Sequence, residues 1–139
     1  KIRHVVLAPS FDIAEQINDV LGKFGDSKNK TIPTLNCSSA EFVESVMEIS
    51  HKNFIFPADI WNTQFGALGS KSGYDSLEDT YKDQVKHIHA FEIGISSSPK
   101  MNWMVSALDK FTSISNSDAY FPKDIGKEAS IFNLPNLSY

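Results

Sequence analysis

Four short apolar segments, separated by stretches with helical periodicity, constrain most strongly what this chain can fold into. The segments are residues 3–8 (RHVVLA), 53–57 (NFIFP), 89–94 (HAFEIG) and 112–117 (TSISNS). They lack the regular alternation of half-exposed strands, which is typical of parallel strands that are covered on both faces. Because strands alternate with helical stretches, we expect an α/β fold with a parallel sheet.

Helix start signals stand between the strand segments. Ser10 can cap a first helix, and Ser38 with Glu41 has the three-residue spacing of a capping box before a second one. A third helix is predicted over residues 76–86 and a short fourth one over residues 102–109. A chain of 139 residues is expected to form one domain. Four strands are too few for an eight-stranded barrel, so the sheet is either open or part of something larger.

Composition limits the classes of function. The formal net charge of -4 disfavours a protein that binds nucleic acid through a broad basic surface. A single cysteine, Cys37, cannot form an internal disulfide, which fits a reducing compartment and predicts a cytoplasmic protein. No apolar run approaches the ~18 residues of a membrane span. Because the chain starts at Lys1 and reads as strand almost at once, we expect it to begin inside a larger protein.

Five polar residues stand at or near the ends of the predicted strands. They are His4, Asp59, Glu92, Asn116 and Asp118. In α/β folds ligands bind at the carboxyl ends of the strands, and carboxylates that converge there repel one another unless a cation binds between them. A divalent metal ion held by mixed nitrogen and oxygen donors is one interpretation. The other is that each residue is merely a cap or a turn former.

A long irregular segment, residues 60–75, contains three glycines. Loops of this length inside a compact domain are often functional. Trp61 lies in it and is interpreted either as a core residue or as a substrate platform. The stretch 66–72 (GALGSKS) hints at a phosphate loop, but it does not match the spacing of one.

Several blocks in register resemble the polymerase-and-histidinol-phosphatase (PHP) superfamily, and most closely its endonuclease Q-like branch. The blocks are residues 56–61 (FPADIW), 69–76 (GSKSGYDS), 92–97 (EIGISS), 101–103 (MNW) and 115–119 (SNSDA). The resemblance covers nearly the whole chain. It implies a partial PHP domain over residues 1–139, with parallel βα units forming part of a distorted (β/α)7 barrel, of which about four strands are present.

The resemblance also implies a function and a site. Endonuclease Q-like proteins are metal-dependent phosphoesterases of DNA repair that cleave DNA next to deaminated bases. Carried onto this chain, the metal ligands would be His4, Asp59, Glu92 and Asp118, with zinc or manganese, or else magnesium, as the metal. The substrate-binding residues would be Trp61, Ser70, Lys71 and Ser72, and the partner would be DNA or another phosphoester.

Three departures from the family pattern bear on activity. Asp59 and Tyr120 stand where the family has histidine, and the family's opening His-x-His strand and C-terminal regions are absent. Aspartate keeps a donor but favours manganese or magnesium over zinc. A phenol, with an ordinary pKa near ~10, is a poor replacement for imidazole. We therefore expect metal to be weakly held or absent in this chain alone.

Three hypotheses remain open at the level of sequence. The chain is part of a metal-dependent nuclease completed by strands of a larger chain, or a catalytically degenerate module with a structural or partner-binding role. A nucleic-acid-binding domain without chemistry is a third reading, which the negative charge disfavours. An incomplete barrel also exposes strand edges, so self-association is expected to be possible.

Overall fold

The secondary structure is short and mixed. The computed structural model describes residues 1–25, 33–95 and 97–136. The strands are β1 (His4–Leu7), β2 (Phe54–Pro57), β3 (Ala90–Glu92) and β4 (Thr112–Ile114). The α-helices are α1 (Phe11–Leu21), α2 (Ser39–Ile49), α3 (Leu77–Tyr81) and α4 (Pro99–Asn102), and 3-10 helices cover Lys82–His87, Ser106–Leu108 and Pro122–Asp124.

Each α-helix in the described part of the chain begins after a serine whose side chain accepts a hydrogen bond from a backbone N–H of the first turn. These serines are Ser10, Ser38, Ser76 and Ser98. At α2 the capping box is complete, because the carboxylate of Glu41 also accepts from the backbone N–H of Ser38 at 2.8 Å. Such a cap stabilises a helix by about 1 kcal/mol. The predicted starts of the first two helices are confirmed.

The two later helices differ from their predicted bounds. The third ends as an α-helix at Tyr81 and continues only as a 3-10 helix, with Lys82 at a positive φ of 53°. The prediction of a helix over residues 102–109 is wrong, since α4 starts earlier, at the Ser98 cap with Pro99 in the first turn. Proline fits the start of a helix because its missing N–H is not needed there.

Strand direction corrects the prediction of an all-parallel sheet. β3 and β4 are parallel, as predicted, with Ala90 opposite Thr112. β1 and β2 are antiparallel, with His4 opposite Pro57. The reason lies in the connection, because two helices, α1 and α2, separate these strands. Each packed helix reverses the chain, so one helix yields a parallel pair and two yield an antiparallel pair.

The described strands form two small sheets and do not close a barrel by themselves. One isolated parallel bridge, between Ile55 and Ile88, connects the second strand to the residues just before the third. The core lies between the helices and these strands. Its fully buried members include Val43 and Val46 of α2, Ile55 of β2 and Tyr81 of α3.

Among the described residues, no helix has the length and apolarity that a membrane crossing requires.

Candidate functional site

Asp59 lies just past the end of β2, on a left-handed backbone with φ 47°. Its neighbour Ile60 donates a backbone hydrogen bond to the carbonyl of Glu92 at 2.9 Å, which ties this turn to β3. Gly94 passes so close that a Cβ there would lie 2.1 Å from Oδ1 of Asp59. The position of the Asp59 carboxylate therefore depends on a glycine at 94.

Glu92 ends β3 and is buried, with 6% of its surface exposed. Its two carboxylate oxygens are held by different partners. Oε1 accepts from Nδ2 of Asn116 at 3.1 Å, and Oε2 accepts from the backbone N–H of Asp59 at 3.2 Å. Burial raises the pKa of Glu92 above its ordinary range, and these two hydrogen bonds oppose the rise. The neighbouring charges of Asp59 and Asp118 add to it.

Asp118 follows β4 and also has a left-handed backbone, with φ 43°. The segment 115–118, which contains Asp118, is connected by hydrogen bonds to residues further along the chain. Ser115 donates its backbone N–H to Oγ of Ser130 at 2.9 Å, and Oγ of Ser117 accepts from the N–H of Gly126 at 2.8 Å. The predicted strand over residues 112–117 is shorter than expected, since β4 ends at Ile114, and Asp118 follows that end by four residues.

Arg3, the residue before β1, supplies a cation to this group. Its Nη1 lies 3.3 Å from Oδ2 of Asp59 and 3.6 Å from Oδ2 of Asp118. Burial raises the pKa of Asp59, the nearby guanidinium opposes this rise, and the charges of Asp118 and Glu128 add to it. Ordinary repulsion between carboxylates is thus partly balanced from within the chain.

A half-open cavity of about 250 Å³, which we call the rim pocket, is lined by Arg3, Asp59 and Asp118 but not by Glu92. Its polar walls come from Arg3, Asp59, Asn62, Asn116 and Asp118. Of the predicted site residues, Asp59 and Asp118 line this pocket. Glu92 is joined to it through hydrogen bonds with the backbone of Asp59 and with Asn116. A larger cavity of about 620 Å³ lies between α1, α2 and β1, but none of the three carboxylates lines it.

His4 does not join the three carboxylates. Its ring packs in the core, with centroids 4.7 Å from the ring of Phe42 and 5.7 Å from that of Tyr81. Among the described residues its buried Nε2 has no hydrogen-bond partner. Burial lowers the pKa of His4 to about 4, against a smaller opposite effect of a backbone hydrogen bond at Ile2. Side chains alternate along a strand, so Arg3 and His4 point to opposite faces.

The predicted substrate-binding residues lie outside the lining of the rim pocket. Trp61 is half-buried, and its indole N–H donates to Oδ1 of Asn102 at 2.8 Å. Ser70 and Lys71 are exposed in the long loop. Ser72 binds its own turn, since its hydroxyl accepts from the N–H of Tyr74 at 3.1 Å. A substrate role for these four residues stays a prediction.

The metal ion that the resemblance implies does not fit the residues as they are arranged. The guanidinium of Arg3 already lies against both Asp59 and Asp118. His4, the one nitrogen donor among the predicted ligands, faces the core. Within residues 1–25, 33–95 and 97–136, no three His, Cys, Asp or Glu side chains form a group able to hold a metal ion.

Sequence reasoning missed Arg3, Gly94 and Asn62. The one available signal for Arg3 was its place next to His4, because alternation sends one of the two neighbours to the rim and the other to the core. Because β1 is too short to show a clear alternation, the sequence did not indicate whether Arg3 or His4 faces the rim.

No protein-family model and no curated protein matches the chain. Two solved structures are similar to it. The lesion-specific endonuclease Q of Pyrococcus furiosus is 25% identical with a TM-score of 0.79, over 90% of this chain and 30% of that one. A complex of endonuclease Q with a 27-mer duplex substrate, which has an abasic lesion at the active site, is 24% identical with a TM-score of 0.75. That match covers 86% of this chain and 29% of the other.

The chain thus spans about 30% of the length of the endonuclease that it resembles. It has a fold like part of a nucleic-acid endonuclease.

Proposed function

We propose that this chain is part of an endonuclease Q-like protein that acts on nucleic acid, with Asp59, Glu92 and Asp118 at its chemical centre. The observation that carries the proposal is the meeting of these carboxylates at the ends of β2, β3 and β4. They meet in a chain of which 90% matches endonuclease Q in fold.

The position of the rim pocket supports this choice of centre. In α/β proteins, ligands bind beyond the carboxyl ends of the strands. Asp59 and Asp118 are also two of the three described non-glycine residues with positive φ. Strained backbone of this kind is concentrated at functional sites.

The finer form of the proposal is a metal-dependent phosphoesterase of the PHP type that cleaves damaged DNA. The donors on the rim are oxygen atoms, which suit manganese or magnesium better than zinc. In the described arrangement these residues do not fit a metal ion, so donors from elsewhere, or a displaced Arg3, would be required. Ligation by His4 and a cytoplasmic location stay predictions.

A second candidate is a catalytically silent module that binds nucleic acid or another part of its own protein. The observation that favours it is the contact of Arg3 with both Asp59 and Asp118. The replacement of a family histidine by Tyr120, which is 70% exposed, points the same way.

The two candidates are separated by incubating the full protein that contains this chain with a 27-mer duplex that carries one abasic site, with and without Mn²⁺. The first candidate requires nicking that Asp118→Asn abolishes and that Asp109→Asn, a change at an exposed carboxylate outside the site, leaves intact. Binding without nicking, followed by fluorescence anisotropy, would support the second. The absence of both binding and nicking would contradict a role for this chain on nucleic acid.

A further inference from the structure

The guanidinium of Arg3 lies between two carboxylates that come from different strands. Nη1 is 3.3 Å from Asp59 and 3.6 Å from Asp118, and the Arg3 side chain is only 22% exposed. We infer that Arg3 is the resident cation of this centre, and that it takes the position between Asp59 and Asp118 that a divalent metal ion would need.

The backbone of Arg3 is anchored on both sides, so the side chain starts from a fixed point. Its N–H donates to the carbonyl of Phe65 at 2.9 Å, and its carbonyl accepts from the N–H of Ala58 at 3.0 Å. The bond with Ala58 continues the β1–β2 pairing by one residue, and both bonds hold Arg3 beside the turn that carries Asp59.

The guanidinium also has a flat support. Its central carbon lies 4.0 Å from the ring centroid of Phe65. Arginine stacks on aromatic faces in this way, and such contacts are stronger when they are shielded from water. Phe65 therefore supports the guanidinium while Nη1 of Arg3 lies near the two carboxylates.

The carboxylates are held in place for this cation. Gly94 leaves room for Oδ1 of Asp59, and the N–H of Asp59 is tied to Glu92 at 3.2 Å. Asp118 is the more exposed partner, with 48% of its side chain accessible. Arg3 is thus fixed more firmly to Asp59, and the Asp118 side is where a metal ion or a substrate group would compete with it.

The consequence is a low affinity for divalent metal, to which the charge of Arg3 beside Asp59 and Asp118 contributes. This inference rests on the proposed function for the identity of the site. The test of this inference needs no nucleic acid. The inference can therefore fail while the proposed function holds, and the proposed function can fail while the inference holds.

The experiment is a titration of the 139-residue chain with Mn²⁺, followed by calorimetry and by the electron paramagnetic resonance of free Mn²⁺. Arg3→Gln should raise the affinity for Mn²⁺ at least about tenfold over wild type. Lys23→Gln, which removes an exposed positive charge elsewhere, should not. Adding Asp118→Asn to Arg3→Gln should remove the gain. An affinity of Arg3→Gln no higher than that of Lys23→Gln would overturn the inference.

Two further variants cover a loss of folding in Arg3→Gln. Arg3→Met keeps an unbranched apolar stem against Phe65 while it removes the charge, so it should show the same gain. If both variants unfold, adding Asp59→Asn removes one of the charges that Arg3 balanced and should restore the melting temperature. Failure of Asp59→Asn to restore it would count against Arg3 as the balancing cation.

Discussion

Asn116 donates a hydrogen bond from its Nδ2 to Oε1 of Glu92 over 3.1 Å. The two residues belong to neighbouring segments, because Glu92 ends β3 and Asn116 follows the parallel strand β4. This bond holds one oxygen of a buried carboxylate, and the backbone of Asp59 holds the other. The position of the Glu92 carboxylate thus depends on Asn116 as well as on the backbone of Asp59.

Asn116→Ala should destabilise the chain by about 1–2 kcal/mol, because a buried carboxylate oxygen loses its donor. The measurement is the free energy of unfolding in urea. A double-mutant cycle with Glu92→Gln isolates the pair, and the loss from Asn116→Ala should be smaller in that background. If Asn116→Ala lowers the free energy of unfolding equally in wild type and in Glu92→Gln, the hydrogen bond between the two side chains does not contribute to stability.

The titrations of Asp59 and Glu92 should contribute to the dependence of the free energy of unfolding on pH. Burial raises the pKa of both carboxyls above their ordinary values of 3.8 and 4.5. Folding therefore favours their protonated forms. Their contribution to stability is complete below these ordinary values and is lost as the pH rises through the raised folded values.

Glu92→Gln removes one of these titrations. The stability of the variant relative to wild type should therefore increase as the pH is raised from about 4 to 7, measured by urea unfolding at each pH. Glu48→Gln, on α2 and exposed, is the control for removing a carboxylate from the surface. A flat difference between Glu92→Gln and wild type would show that the Glu92 pKa is not raised.

His4 should produce the opposite slope. Burial lowers its pKa from 6.5 to about 4, so the folded state excludes the proton. The stability that this provides is complete above the unfolded value of 6.5 and is lost as the pH falls through the folded value. A shift of this size corresponds to about 3 kcal/mol between the two ends of the window.

His4→Phe should keep the aromatic packing against Phe42 and Tyr81 while it removes this titration. Thermal melts between about pH 7 and pH 4 should then fall less steeply for the variant than for wild type. The same slope in both proteins would contradict a buried, neutral imidazole at this position.

Gly94→Ala should be costlier than the same change at Gly73. Both glycines have positive φ, 65° and 81°, but a Cβ at 94 would meet Asp59 whereas nothing lies within 4 Å of one at 73. Gly73→Ala therefore measures the backbone cost alone, about 1 kcal/mol. Gly94→Ala should lose more in urea unfolding, and equal losses would show that Asp59 moves aside freely.

Local signals in the sequence were enough to place the first two helices. Ser10 and the Ser38–Glu41 capping box act within one helical turn, so their spacing along the chain carries the information. The gathering of Asp59, Glu92 and Asp118 was also predictable, because each follows or ends an apolar strand segment.

The direction of β1 and the choice of Arg3 over His4 for the rim were not predictable in the same way. Strand direction depends on how α1 and α2 pack between β1 and β2, which is a tertiary property. Which of two neighbouring side chains faces the rim depends on register, and one residue of slip exchanges the two faces.

The central claim, that the rim pocket acts on nucleic acid, is tested most directly by mapping contacts on ¹⁵N-labelled protein. The 139-residue chain is titrated with the abasic 27-mer duplex, and amide chemical shifts are followed. The account predicts the largest changes at Asp59, Gly94, Asn116 and Asp118, with small changes on the exposed face of α2. Changes confined to the helices, or no changes at all, would contradict it.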